Sequence, residues 1–246
     1  MNGLKQKEAK KNIGEGLPPP GDVIPLRPVV APSEERPVSL PSFLPERRNY
    51  HFWKRTMDIA LSGGALALLS PLFLLTAAAV KLSSPGPVLC VQTRIGKEGV
   101  PFPMYKFRSM YIHGEEMLKD LQQANERDGP AFKMKNDPRI TPLGRILRKL
   151  CIDEMPQFFN VLRGEMSLVG PRPPLPSEVE EYEPWHYRRF DAKPGLTCYW
   201  QVSDRNMSFD EWVDMDIRYI QERCLAADVK LLWRTASVVL RGKGDS

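Results

Sequence analysis

Histidine and cysteine are scarce in this chain, three and four among 246 residues. His51, His113 and His186 lie far apart, with no HExxH or other His-rich spacing, which argues against a structural zinc site. Cys90, Cys151, Cys198 and Cys224 form no CxxC pair, so they read as reduced thiols of a cytoplasmic compartment. RRM, zinc-finger and helix-turn-helix signatures are missing, and no nucleic-acid partner is expected. No internal repeat is visible. The chain starts with lysines and shows no signal-peptide apolar core or cleavage site.

Proline is plentiful, 24 residues, and dense in residues 1–46 ("GLPPPGDVIPLRPVVAPSEERPVSLPS"). Such a segment cannot bury enough apolar area to offset its ordering entropy, so a disordered arm of polyproline II character is expected. The net charge of +5 suits a chain that works near anions: nucleotides, phosphates or anionic headgroups.

One long apolar run stands out, "IALSGGALALLSPLFLLTAAAV" over Ile59–Val80. As a straight helix it would be roughly 33 Å long, about one bilayer core. Ser70 and Pro71 sit at its centre. A helix-interior proline removes one backbone hydrogen bond and costs about 3 kcal/mol or more, while the adjacent serine can offer a hydroxyl. Arg47, Arg48, Lys54 and Arg55 precede the run; Lys81, Arg94 and Lys97 follow it. The positive-inside rule wants both ends in the cytoplasm. The residues alone leave two topologies open: a helix–break–helix within one leaflet, and a kinked spanning helix.

The remainder is polar and periodic. "VLCVQT" and "MYKFRSM" read as short strands. Helices are expected over 111–124, from Thr141 as N-cap with Pro142 in the first turn, from about Asp153 with Pro156 in the first turn, and over 177–189, 208–226 and 228–241. The last one places Val229, Leu232, Trp233, Ala236 and Leu240 on one face, which suits an interfacial membrane helix and equally a helix packed on the core. Trp185, Trp200 and Trp212 read as core or interface anchors.

The densest chemistry lies in residues 136–173. Asp153 and Glu154 are adjacent carboxylates at a helix start, where the helix dipole favours anions. They can hold Mg²⁺, a hard ion that takes one or two carboxylates plus substrate phosphates. A carboxylate there can instead attack phosphorus and form an acyl phosphate. Arg139, Arg145, Arg148, Lys149, Arg163 and Arg172 surround them in sequence, and arginine matches phosphate oxygens in a bidentate way. Carboxylates, metal and arginines are what phosphoryl transfer requires. Each feature alone has a blander reading: a dipole-favoured cap, a solvated basic helix, a rigid turn in "VGPRP".

Together, in order, the motifs resemble those of the bacterial sugar transferases, the monotopic phosphoglycosyl transferases: Lys54, Arg55 and Asp58 of "KRxxD", the Ser70-Pro71 break, "SPGPVLCVQTRIG", "YKFRSM", "DPRITPLGRILRK", "DEMPQFFNVLRGEMSLVGPRP", "KPGLT" and "WQV". The resemblance covers about residues 50–242 and is to the short form. It implies an α+β fold, a membrane re-entrant helix–break–helix over 47–82 and a mostly helical cytoplasmic catalytic domain with a small sheet over 83–246. It implies transfer of a sugar 1-phosphate from a UDP-sugar, with UDP-glucose or UDP-galactose expected from relatives of the short form, to undecaprenyl phosphate. UMP is released at the cytoplasmic face of the bacterial inner membrane, among its lipids. Exopolysaccharide, capsule or O-antigen synthesis would begin there.

By the same resemblance Asp153 is the nucleophile and Glu154 a Mg²⁺ ligand beside it. Arg148 holds phosphate, with Arg139 and Arg145 near it, and Pro171-Arg172-Pro173 binds the nucleotide side. Lys54, Arg55 and Asp58 lie at the membrane surface, near the lipid phosphate or pinning the helix, and the re-entrant topology is the expected one. A homodimer is compatible with all of this. Cys151 stands where relatives often carry a small hydroxyl residue, and Asp204 where glycine is common. Two other classes compete: a metal-dependent hydrolase of nucleotide-sugars or lipid diphosphates using the same carboxylates, and a non-enzymatic membrane scaffold, which the Asp-Glu pair between basic clusters disfavours.

Overall fold

Proline decides where the first helix ends. In the computed structural model, which describes residues 48–114, 117, 121, 125–126, 129–130, 132, 134, 136–203 and 207–240, α1 spans Arg48–Leu68 and α2 spans Ser70–Ser83. Pro71 has no N–H to give the carbonyl four residues back, that of Ala67. The Ser70 hydroxyl donates to that same carbonyl at 2.9 Å. The two helices meet at 62°. Among the described residues no single helix is long and apolar enough to cross a membrane; the bent pair passes by length and composition together. Leu61, Leu68, Leu74, Leu75 and Leu82 along it are exposed. The arm expected over 1–46 lies outside the described residues, as do most of the helix expected over 111–124, Asp204 and Arg241.

Both ends of the bent pair are tied to the rest of the protein. On α1, Lys54 Nζ meets Asp228 Oδ2 at 2.9 Å. Arg55 donates to the carbonyls of Val161 and Leu162 at 2.6 and 2.7 Å. Buried Asp58 accepts from the Ser167 hydroxyl at 3.1 Å and the Leu168 N–H at 3.0 Å. At the end of α2, the Arg108 guanidinium donates to the carbonyls of Val80 at 3.1 Å, Ser84 at 2.7 Å and Pro85. A cation on the orphan carbonyls of a helix C-terminus is favoured by both hydrogen bonding and the dipole.

Next comes a hairpin. β1 (Leu89–Ile95) pairs antiparallel with β2 (Pro101–Phe107), Leu89 opposite Phe107 and Ile95 opposite Pro101. Glu98 and Gly99 turn the chain with φ of 60° and 76°. Alternate β2 residues Phe102 and Met104 point into the main core, as strand periodicity requires, and Phe107 is buried at the end of the strand. A second pairing was not expected from the sequence: β3 (Ser167–Val169) runs parallel to β4 (Gly195–Thr197). Strands this short leave no periodic signal. Their approach depends on glycine, since a Cβ on Gly195 would fall 2.1 Å from the Gly170 nitrogen.

α3 (Pro142–Lys149) starts as expected, with the Thr141 hydroxyl accepting from the Gly144 N–H at 2.9 Å. Gly144 leaves room for the Ser109 carbonyl, which would lie 2.0 Å from an added Cβ. The helix expected from Asp153 divides: Ile152–Glu154 is one 3-10 turn, and α4 (Gln157–Arg163) begins only after Pro156. The helix expected over 177–189 is also two pieces, α5 (Pro176–Val179) and a 3-10 stretch His186–Asp191, with Pro184 between them. α6 (Phe209–Glu222) opens with a capping box between Ser208 and Glu211. α7 (Leu225–Leu240) begins earlier than expected, which puts Asp228 in its first turn. Val161, Met166, Leu168, Val169, Tyr219 and Leu231 form the centre of the main core. Leu232 packs against that core, which is the core-packed expectation, whereas Val229 and Trp233 on the same helix are exposed.

The break tests the role of the proline. In a background without the four native cysteines, spin labels at Phe52 and Leu82 should move apart in Pro71→Ala by about 6 Å, given a rise of 1.5 Å per residue and loss of the 62° bend. An unchanged distance by pulsed EPR would mean that the ends, not Pro71, impose the bend.

Candidate functional site

Asp153 is buried, in the 3-10 turn that precedes α4. Cys151, just before it, adopts a left-handed backbone with φ 54°, a conformation that costs a non-glycine residue free energy and redirects the chain sharply. The turn packs against β2. There the Lys106 ammonium contacts Glu154 Oε1 at 2.6 Å. Burial would raise the Glu154 carboxyl; Lys106, followed by the charges of Arg172 and Arg94, outweighs it and holds the group below the usual carboxylate range. Glu154 is therefore held toward its ionised form by direct contact with Lys106 and by the charges of Arg172 and Arg94.

The strongest architectural feature of the site is the backbone of residues 171–174. Four successive carbonyls each accept a hydrogen bond: Pro171 from the Gly195 N–H at 2.8 Å, Arg172 from Arg189 at 3.0 Å, Pro173 from Arg94 at 3.0 Å, and Pro174 from the Ile95 N–H at 3.0 Å. Three of these residues are prolines with no N–H to satisfy. The loop is thus fixed by its acceptors alone, and the Arg172 side chain is what it presents. That guanidinium reaches Glu178 at 3.3 Å and lies 5.4 Å from the Trp212 ring centroid. Beneath it, Arg189 and Asp216 form a fully buried pair at 2.7 Å, with Tyr182 on the same guanidinium. Arg94, buried and near Arg172, has its guanidinium pushed down to about 9, first by burial and then by Arg172.

The residues singled out from the sequence fall into two groups. Asp153, Glu154, Pro171, Arg172 and Pro173 sit in this neighbourhood. Arg148 is half-buried and donates to the Ser109 hydroxyl at 2.9 Å, which fixes its direction from α3. Arg145 is exposed on the same helix. Arg139 is buried in a bidentate pair with Asp137 and stacks on Phe132 at 4.8 Å, so its charge is already matched. Lys54, Arg55 and Asp58 bond within the protein, which agrees with pinning the helix. Sequence reasoning missed Lys106, Arg94, Arg189 and Asp228. The only signal for Lys106 was a charge inside an otherwise apolar strand, and nothing local singled out Asp228.

Among the described residues no group of three or more His, Cys, Asp or Glu side chains could hold a metal ion. Asp153 and Glu154 supply two adjacent carboxyl groups, one of them held ionised. That donor set fits a hard cation completed by water and substrate phosphates and does not fit an all-protein cage.

Comparison with known proteins is consistent along nearly the whole described chain. The model of the bacterial sugar transferase family matches residues 49–242. The undecaprenyl-phosphate galactose phosphotransferase of Salmonella typhimurium is 45% identical over 204 residues, 80% of this chain and 42% of its own length. The galactosyl transferase CpsE of Streptococcus agalactiae is 48% identical over 161 residues, 65% of this chain and 36% of its own. The chain therefore spans well under half the length of these two relatives. The exopolysaccharide production protein ExoY of Rhizobium meliloti is 40% identical over 223 residues, 87% of this chain and 99% of that protein.

The buried pair beneath Arg172 gives a pH-dependent expectation. Burial pushes the Asp216 carboxyl up to about 6 from 3.8, against the lowering effect of Arg189. Between those values the native state holds a proton that the unfolded state has released, so stability falls as pH rises through that window. The Tm of the wild type minus that of Asp216→Asn should fall from pH 4 to pH 6, reflecting on the order of 3 kcal/mol. A flat difference would show that Arg189 fully compensates the burial.

Proposed function

The chain belongs to the bacterial sugar transferase family, and from that premise we propose that it transfers a sugar 1-phosphate from a UDP-sugar to undecaprenyl phosphate and releases UMP. The observation that carries the reading is the buried Asp153 beside ionised Glu154, next to a rigid loop that presents Arg172. UDP-glucose and UDP-galactose are the favoured donors, the product being the first lipid-linked sugar of an exopolysaccharide.

In the first half-reaction an Asp153 carboxylate oxygen attacks the phosphorus that bears the sugar. The bond from that phosphorus to the bridging oxygen breaks, and UMP leaves with the electron pair. In the second, a phosphate oxygen of the lipid attacks the same phosphorus. The acyl phosphate bond breaks, Asp153 is regenerated as a carboxylate, and a polyprenyl diphosphate sugar remains. Soluble donor and lipid acceptor thus use one site in turn. Arg172 and Arg148 orient phosphate oxygens, and the burial of Asp153 limits attack by water on the intermediate. Asp153 and Glu154 are the residues that would hold Mg²⁺, which supplies neutralisation of diphosphate charge when bound. The bent apolar pair enters and leaves one leaflet on the cytoplasmic side, a topology supported by the ties at both of its ends.

UMP release by detergent-solubilised protein with Mg²⁺, across a panel of UDP-sugars and with or without undecaprenyl phosphate, tests the scheme. Release should depend on one sugar, and Asp153→Asn should lower it by at least about a thousandfold. Multiple-turnover release without lipid would identify a hydrolase, and full activity of Asp153→Asn would remove the covalent step.

A further inference from the structure

Lys106 has no role in the scheme above, yet it makes the shortest ion-pair contact in the site. It is the one cation of β2, and its ammonium sits 2.6 Å from Glu154 Oε1 with 26% of its side chain exposed. Arg94 and Arg172 also act on Glu154, but both are committed elsewhere: Arg94 to the Gln92 side chain and the Pro173 carbonyl, Arg172 to Glu178. Lys106 has no other recorded acceptor among the described residues. Its flexible four-carbon stem carries a compact charge, unlike the fixed arginine forks around it.

Two cations cannot share one carboxylate oxygen at full strength. A divalent ion on Glu154 must displace this ammonium or share the carboxylate with it, at a cost in either case. Lys106 is the cation in direct contact with the Glu154 carboxylate of the turn Ile152–Glu154. This contact pairs Glu154 and holds it on the β2 side.

We propose that Lys106 is a built-in competitor for the divalent cation at Glu154, a positioning residue that exchanges the carboxylate for a phosphate oxygen of the donor when metal and donor enter together. This rests on the assignment of Asp153 and Glu154 as the cation site. Its consequence is ordered loading: the cation binds weakly to the free protein and well only with the nucleotide diphosphate, because the displaced ammonium then has a new anion to meet.

The test is direct binding of Mn²⁺ to substrate-free protein in detergent, followed by the loss of the free-ion EPR signal. Lys106→Met keeps the apolar stem and removes the charge; it should bind Mn²⁺ about three- to fivefold more tightly than wild type, the upper part of the range expected for losing a partly exposed ion pair. Lys106→Arg keeps a cation and should stay within about twofold of wild type, which separates charge from packing. Adding UDP should tighten Mn²⁺ binding to wild type far more than to Lys106→Met. Mn²⁺ affinity that is unchanged or weaker in Lys106→Met, with wild type binding saturably and Glu154→Gln not, would overturn the competitor role while leaving the cation site intact. Absence of binding in wild type and both Lys106 variants would remove the cation site and the competitor together.

Discussion

The carboxylate of Asp58 carries more of this architecture than any group in the turn Ile152–Glu154. It leaves α1 to accept from the Ser167 hydroxyl and the Leu168 N–H, at the start of the parallel β3–β4 pair. That pair orients Gly170 and the four residues after it, whose carbonyls are all occupied. Losing the acceptor would leave two buried donors unmatched, each costing about 1–3 kcal/mol. Arg55 adds the C-terminal carbonyls of α4, the helix that follows Asp153. Lys54 adds Asp228 on α7, where Tyr50 at 2.9 Å and Tyr219 at 2.8 Å complete the surroundings of a fully buried acid. One helical face of α1 therefore registers three separate elements of the catalytic body.

Rigidity and freedom are divided sharply within the site. Arg189, Arg94 and two backbone amides hold the proline-rich loop from beneath, and the buried Arg189–Asp216 pair is itself held by Tyr182. Removing one member of such a pair leaves an uncompensated charge, at a cost of about 3–5 kcal/mol. Arg148 is aimed by Ser109, whose carbonyl also receives the Thr141 N–H at 3.0 Å at the start of α3. Transition states of phosphoryl transfer are stabilised mainly by charges that need not move. Arg189, Arg94 and Arg148 are each fixed by hydrogen bonds to the protein, whereas Lys106 hydrogen-bonds Glu154 alone among the described residues.

Local chemistry explains what the sequence could and could not reveal. The Ser70-Pro71 break and the Thr141 cap rest on interactions within a few residues and appear where those residues predict; the hairpin strands also form, the second one three residues earlier than "MYKFRSM" suggests. The Asp153-Glu154 dyad and the Pro171-Arg172-Pro173 loop were legible as motifs. Their supports were not, because Arg94, Arg189, Asp228 and Gly195 act across 79, 17, 174 and 25 positions of sequence, from Pro173, Arg172, Lys54 and Gly170 respectively. Helix lengths were overestimated around Pro156 and Pro184, where an apolar period continues through a backbone that cannot. The parallel strands escaped notice for the opposite reason, being held by glycine contacts rather than by any period.

The same long-range contacts change the argument about the membrane. Counting Lys54, Arg55 and Arg94 as cytoplasmic flanking charges treats them as free, yet each is bonded inside the protein. The positive-inside rule then loses much of its weight. A stronger constraint takes its place. Lys54, Arg55 and Asp58 fix the entry of the apolar pair, Arg108 fixes its exit at Val80, Ser84 and Pro85, and both sets of contacts reach one folded body. A straight span would put those two ends about 30 Å apart across the hydrocarbon, breaking one set and leaving several buried donors or a buried acid unmatched. The hydrogen bond from Ser70 to Ala67 meanwhile satisfies the carbonyl that a bend in lipid would otherwise expose. Under the membrane topology proposed above, with entry and exit on one side, every one of these groups keeps its partner.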